Sequence, residues 1–192
     1  MKNIPKNTRI RRKHLSFYNL SLILERGRPA AKRVVVGSDN VESITEAQQT
    51  GYETNILERV AKAKPLNSKK IRKQDVGNSS SGSETSPVFG PVKMVEQAVD
   101  EILHLKMCES VLDTEVPSTM VVATGDAAEA EYSGGFLKML ERALLKKWKV
   151  EIIAFRLNTS SAYRKSEWKS RWGSAFRVIE LDDYTNALLL ED

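Results

Sequence analysis

Apolar positions recur along the chain in two rhythms, one of about 3.6 residues and one of short continuous runs, and they alternate. HLSFYNLSLILERGR places Leu15, Tyr18 and Leu22 at helical spacing and stops at Gly27 and Pro29, the exit signals of a helix. KRVVVGS, residues 32–38, reads as a short buried strand, and a weaker helix follows from Val41 to about Gln49. GYETNILERV, residues 51–60, alternates as a less buried strand. From Pro91, which suits a first helical turn, Val95, Val99, Ile102 and Leu103 form an apolar stripe running to Val111. The run Met120–Val122 is a third strand. GGFLKMLERALLKKWK is strongly amphipathic, with Phe136, Leu140, Ala143, Leu144 and Trp148 turned to a core. VEIIAF, residues 150–155, and FRVIELDD supply two more strands, and YTNALLL closes as a short helix.

Strands alternating with helices predict an α/β domain with a mainly parallel sheet. The run Met120–Val122 is apolar at successive positions, as a strand covered on both faces requires. Asp126 falls just past its carboxyl end, where open α/β sheets bind ligands. Glu129 and Glu131 follow within the same loop. Three carboxylates brought together repel unless protons or a cation neutralise them, and hard oxygen donors suit Mg²⁺ or Mn²⁺. The same acids also suit the start of the helix near Ser133, which the helix dipole favours. Glu96, Asp100 and His104 recur at i, i+4 and i+8 and are expected to share a helix face, with Asp100 turned to the Asp126 site or to solvent and His104 at the surface.

Charge changes the picture at two places. The chain of 192 residues carries a net charge of +5, yet residues 1–14 and 61–73 each hold six Lys/Arg and no acids. The remainder has 18 basic against 25 acidic residues, an acidic body with two basic appendages. Such patches suit a phosphate backbone, with Lys69, Lys70, Arg72 and Lys73 in the second, or they are solvated segments or import signals. Residues 1–14 are expected to be a flexible arm. Residues 61–90 read as a disordered basic and Ser/Gly-rich insertion that divides the domain into 15–60 and 91–192. The segment 157–174 interleaves Arg164, Arg171 and other cations with Trp168 and Trp172, which suits stacking on single-stranded nucleic acid or, equally, a half-buried amphipathic helix.

Other chemistry has little to stand on. The single cysteine, Cys108, lies in an apolar helical pattern and reads as a buried thiol. There is no G-x-S-x-G elbow, no phosphate-binding G-x-x-x-x-G-K-[ST] loop and no G-x-G-x-x-G turn, and the two histidines are far apart in the chain. No apolar run has the length of a membrane span, which makes an intracellular protein, cytoplasmic or nuclear, the expectation.

LILERGRPAAKRVVVGS, GYETNILERV, EQAVDEILHL, VVATGDAAEAEYSGGFLKMLERAL and FRVIELDDY, in that order, resemble the fungal-type NYN branch of the PIN-like nuclease superfamily over residues 15–188, the insertion excepted. The resemblance implies a PIN-like three-layer sandwich and a metal-dependent endoribonuclease acting on RNA through clustered carboxylates that hold Mg²⁺ or Mn²⁺. It implies Asp100 and Asp126 as catalytic acids and metal ligands, Glu129 or Glu131 as the acid that follows at short spacing, and Thr124 as a contact to phosphate or to metal-bound water. The family's first strand, which ends in an aspartate, has no counterpart in KNTRIRRKH, and Lys106 stands where many relatives carry another acid. The expectation is therefore an N-terminally incomplete PIN-like domain. Its alternatives are a silent RNA-binding or interaction module, or a fragment of an active nuclease, and a strand borrowed from a second copy would make it a homo-oligomer.

Overall fold

A computed structural model describes residues 15–39, 42–65, 89–130 and 132–189. Helix α1 (Phe17–Glu25) opens the domain, its first turn capped by Ser16, whose hydroxyl accepts the Asn19 amide at 3.1 Å. Strand β1 (Val34–Gly37), helix α2 (Glu42–Gln49) and strand β2 (Glu53–Ile56) follow, β1 and β2 pairing in parallel. After the central part of the chain come helix α3 (Val99–Asp113), strand β5 (Thr119–Val122), helix α4 (Gly135–Leu145), strand β6 (Lys149–Ala154), helix α5 (Ser166–Trp172), strand β7 (Phe176–Glu180) and helix α6 (Thr185–Leu188). Strands β5, β6 and β7 form a parallel sheet in that order. The architecture is thus the mixed α/β one that the alternating pattern predicts. Among the described residues no ladder joins β1 to β5, so the parallel strands stand as a pair and a triplet.

Strand periodicity sends β6 to two cores. Val150 and Ile152 meet Met107 of α3 and Phe136, Leu140 and Ala143 of α4 on one face. Ile153 meets Ile23 of α1 and Leu188 of α6 on the other. Helices therefore cover both faces, which is why β6 is apolar at Val150, Ile152, Ile153 and Ala154 on its two sides. The predicted inward set of the amphipathic helix, Phe136, Leu140, Ala143, Leu144 and Trp148, is buried throughout. Burial of each such side chain stabilises the fold by about 1.5–3 kcal/mol. Cys108 is half-buried, with its Sγ 3.5 Å from Met139 Sδ.

The central part of the chain departs from expectation. Strands β3 (Val60–Pro65) and β4 (Phe89–Val95) form an antiparallel ribbon, pairing Val60 with Val95 and Lys62 with Lys93. The edges of the segment expected to be disordered are therefore ordered, and Pro91 lies in a strand rather than in a helix. A two-stranded ribbon tolerates prolines because each strand has an outward edge whose amides need no ladder partner. PVKMVEQAV suits either periodicity, and backbone pairing with Val60–Ala63 decides for the strand. Helix α3 accordingly starts eight residues after Pro91. Residues 66–88, with Lys69, Lys70, Arg72 and Lys73, and residues 1–14 lie outside the described residues.

Candidate functional site

The site is built where β5 ends. After Val122 the chain forms a loop whose backbone is fixed from several sides. The Asp126 amide donates to Thr124 Oγ1 at 3.2 Å, and Asp126 Oδ1 accepts the Ala128 amide at 2.9 Å, an Asx-type turn. The Gly125 carbonyl accepts the Ser160 amide at 2.8 Å. A methyl on Gly125 would stand 2.2 Å from the Asn158 carbonyl oxygen, so this close approach of two backbones requires glycine. Gly135, at φ +71°, packs against the carbonyl of Ala128, where a methyl would come within 1.8 Å, and so closes the loop onto α4. The fully buried Tyr163 donates its phenolic hydrogen bond to the carbonyl of Asp126. Burial holds that phenol well above the ordinary tyrosine range, with the charge of Asp126 adding to it, so the group is a donor at all working pH values.

Helix α3 carries Asp100 toward this loop. Asp100 is exposed, yet its carboxyl is pushed above the ordinary aspartate range, first by partial loss of solvent, with repulsion from Glu101, Asp126 and Glu96 adding and attraction to His104 opposing. Asp100 and Asp126 therefore share one electrostatic field. His104, expected at the surface, is buried at 3% exposure. Its Nδ1 lies 2.8 Å from Ser133 Oγ and its ring stands edge-on to Phe136 at 4.4 Å. Burial lowers its basicity, against the pull of Asp100, Glu101 and Asp126, while Nε2 has no hydrogen-bond partner. The start of α3 at Val99 explains the difference: the helix turns one side of His104 onto α4 rather than to solvent. The same start removes Glu96 from the helix face it was expected to share with Asp100. Glu96 instead accepts Ser38 Oγ at 2.6 Å and pairs with Arg59 at 3.2 Å.

Of the residues singled out from the sequence, Thr124 bonds the Asp126 amide, and the charge of Asp126 reaches Asp100. Glu129 is exposed on the same loop, and Glu131 lies outside the described residues. Thr124 spends its hydroxyl on the Asp126 amide. Lys106 turns to Glu53 at 2.7 Å and Glu109 at 3.4 Å, away from the acidic loop's needs. Among the described residues no three His, Cys, Asp or Glu side chains gather as ligands for a metal ion. Mg²⁺ takes six oxygens and keeps several of them as water, being held by one or two carboxylates, so Asp100 and Asp126 are the protein donors that this end of the sheet offers it.

Trp168 and Trp172 follow the half-buried reading. Trp168 meets Tyr163, Trp172 and Phe176 edge-on, at centroid distances of 6.3, 5.9 and 5.5 Å, and both indoles pack on the core. They are a structural aromatic cluster rather than an open stacking platform. Arg171 lies 4.5 Å over the Trp172 ring and bonds Glu141 at 2.6 Å. Arg164 is exposed and donates to the Arg156 carbonyl at 2.9 Å.

Sequence reasoning missed Tyr163 and Glu151. Glu151 is 5% exposed on β6 and gathers Arg26, Arg28 and Arg177 around one carboxylate. A lone acid inside VEIIAF carries a signal for this, since a strand covered on both faces buries every side chain and a buried carboxylate needs partners. Tyr163 offers no such signal, because its partner is a backbone carbonyl 37 residues away.

No protein-family model, curated protein or solved structure matches the chain.

Proposed function

We propose that the chain is an RNA-binding α/β domain of PIN-like build, in which Asp100 and Asp126 form an acidic pair beside a cationic RNA-binding edge. The observation that supports this reading is the tie between the two halves of that end of the sheet. Asp126 follows β5, the cation-rich segment 156–177 follows β6, and the Gly125–Ser160 and Asp126–Tyr163 hydrogen bonds lock one to the other. An acidic loop held rigidly against a cationic one suits a phosphate polymer that must be positioned as well as attracted.

A second reading, hydrolysis of RNA with Mg²⁺ or Mn²⁺, has one observation in its favour. Asp100 is held above the ordinary aspartate range by burial, with the charge of Asp126 among the nearby acids adding to it, and a divalent cation would relieve that repulsion. Such an ion, when bound, would activate water toward a phosphodiester, with Asp100 and Asp126 among its holders. Glu131, a further acid of this loop, lies outside the described residues, and binding is kept as the first reading because the cationic segment that supports it lies within them.

The test is titration of the full chain with a labelled single-stranded RNA in chelator at several salt concentrations. Tight binding that weakens log-linearly with salt is expected. Absence of binding at low salt would overturn the reading.

A further inference from the structure

Beside the acidic loop lies a cleft of about 600 Å³ along β7, the outer strand of the triplet. It is lined by Val178, by the buried Tyr163 and Phe176, and by Arg156, Arg164, Lys169 and Arg177 with, among the described residues, one carboxylate, Glu180. We propose that this cleft is the track for the backbone of single-stranded RNA, with Lys169 and Arg164 as its principal phosphate contacts; the assignment rests on the RNA-binding reading above.

Three features carry it. First, the cations are not cancelled by their neighbours. Glu180 is shared by Arg156 at 2.7 Å and Arg164 at 3.8 Å. Arg177 bonds Glu151, which already serves Arg26 and Arg28. Asp182 accepts the Arg156 amide at 2.7 Å, and its charge and that of Asp183 reach the Arg156 side chain. Among the described residues four cations line the cleft against one lining carboxylate, Glu180, while Glu151, Asp182 and Asp183 act on Arg177 and Arg156 from outside the lining, which leaves Lys169 as the unpaired charge. Lys169 is exposed and has no ion-pair partner among the described residues.

Second, cations set along a cleft suit the regularly spaced phosphates of a nucleic-acid backbone, which need no stacking surface. Third, Tyr163 joins the cleft to the acidic loop. Its ring lines the cleft, and its hydroxyl holds the Asp126 carbonyl. The cleft lining and the acidic loop are thus tied through one side chain.

The experiment is anisotropy titration of the full chain with a fluorescein-labelled oligouridylate at low salt, comparing Lys169→Glu, Arg164→Glu and, as a control on the far end of α4, Lys146→Glu. Because Arg164 also holds the Arg156 carbonyl, Lys169→Glu is the decisive variant, with thermal melting confirming its fold. Lys169→Glu is expected to weaken binding roughly tenfold and to flatten the salt slope by about 1, with a change under about twofold in Lys146→Glu. Equal effects of Lys169→Glu and Lys146→Glu, on a parent chain that binds RNA, would overturn the cleft assignment and leave the RNA reading standing. Absence of RNA binding by the parent chain would overturn both. Displacement of the RNA by polyglutamate at matched charge would also overturn the assignment, because it would identify the cleft as a site for acidic protein segments.

Discussion

The phenol of Tyr163 donates its hydrogen bond to the backbone carbonyl of Asp126, so a side chain in the aromatic cluster of the β6–β7 side fixes the loop at the end of β5. The acidic loop is thereby positioned by the core rather than by its own sequence.

Removal of that one oxygen is expected to loosen the loop with little change in packing. Tyr163→Phe keeps the ring stacked near Phe176 at 5.9 Å and leaves the Asp126 carbonyl without its donor. A loss of about 1 kcal/mol is predicted, a fall in Tm of roughly 2–4 °C for a domain of this size. Hydrogen exchange should accelerate at the Asp126 and Ala128 amides while β6 stays protected; unchanged exchange there would contradict the positioning role.

Glu151 anchors α1 to β6 through Arg26 and Arg28 and reaches β7 through Arg177. Burial opposes its ionisation, but the hydrogen bonds from Arg28 and Arg177 and the charges of Arg26 and Arg28 outweigh this and hold the carboxyl below its ordinary 4.5. A carboxyl whose folded value is depressed contributes stability in full above its unfolded value and loses it as pH falls through the folded one. Glu151→Gln is therefore expected to cost about 2–3 kcal/mol at pH 7, since Arg28 and Arg177 are partly solvated and soften the loss. In urea unfolding the gap between parent and variant should narrow as pH falls below 4.5 and through the lower folded value; a gap independent of pH would mean that packing, not charge, holds this corner.

His104 works in the opposite direction from a surface histidine. Burial disfavours its protonated form, so the unfolded chain binds a proton more readily than the folded one. Its folded value lies below the ordinary 6.5, and stability is expected to fall as pH drops through 6.5 toward the folded value, and to level off below it. Asp100, whose folded value is raised above 3.8, contributes the reverse slope at lower pH, where its protonation relieves repulsion. Replacing His104 by Leu should flatten the decline in stability between pH 7 and 5; a parent and variant with parallel profiles would show that His104 stays neutral in both states over that range.

Local patterns made the elements legible where one periodicity dominated. Helix α4 was readable because five inward positions fall on one stripe, and β5, β6 and β7 because continuous apolar runs have no other use in an alternating chain. The β4–α3 boundary was not, because PVKMVEQAV satisfies both a strand and a first helical turn until its partner at Val60–Ala63 is known. The place of Asp126 past an apolar run was legible, and its charge reaches Asp100. The burial of His104, the anchoring of Asp126 by Tyr163 and the seating of Trp168 in the core depend on contacts between distant segments. Residue spacing carries no record of those.

The most direct test of the central claim is to repeat the single-stranded RNA titration with rising Mn²⁺, reading binding and strand cleavage in the same samples, beside Asp126→Asn. The account predicts salt-sensitive binding that needs no divalent ion, RNA that stays intact, and an affinity in Asp126→Asn within about twofold of the parent, because Asp126 is held near the track rather than on it. Cleavage that requires Mn²⁺ and disappears in Asp126→Asn would contradict it and establish a metal-dependent nuclease.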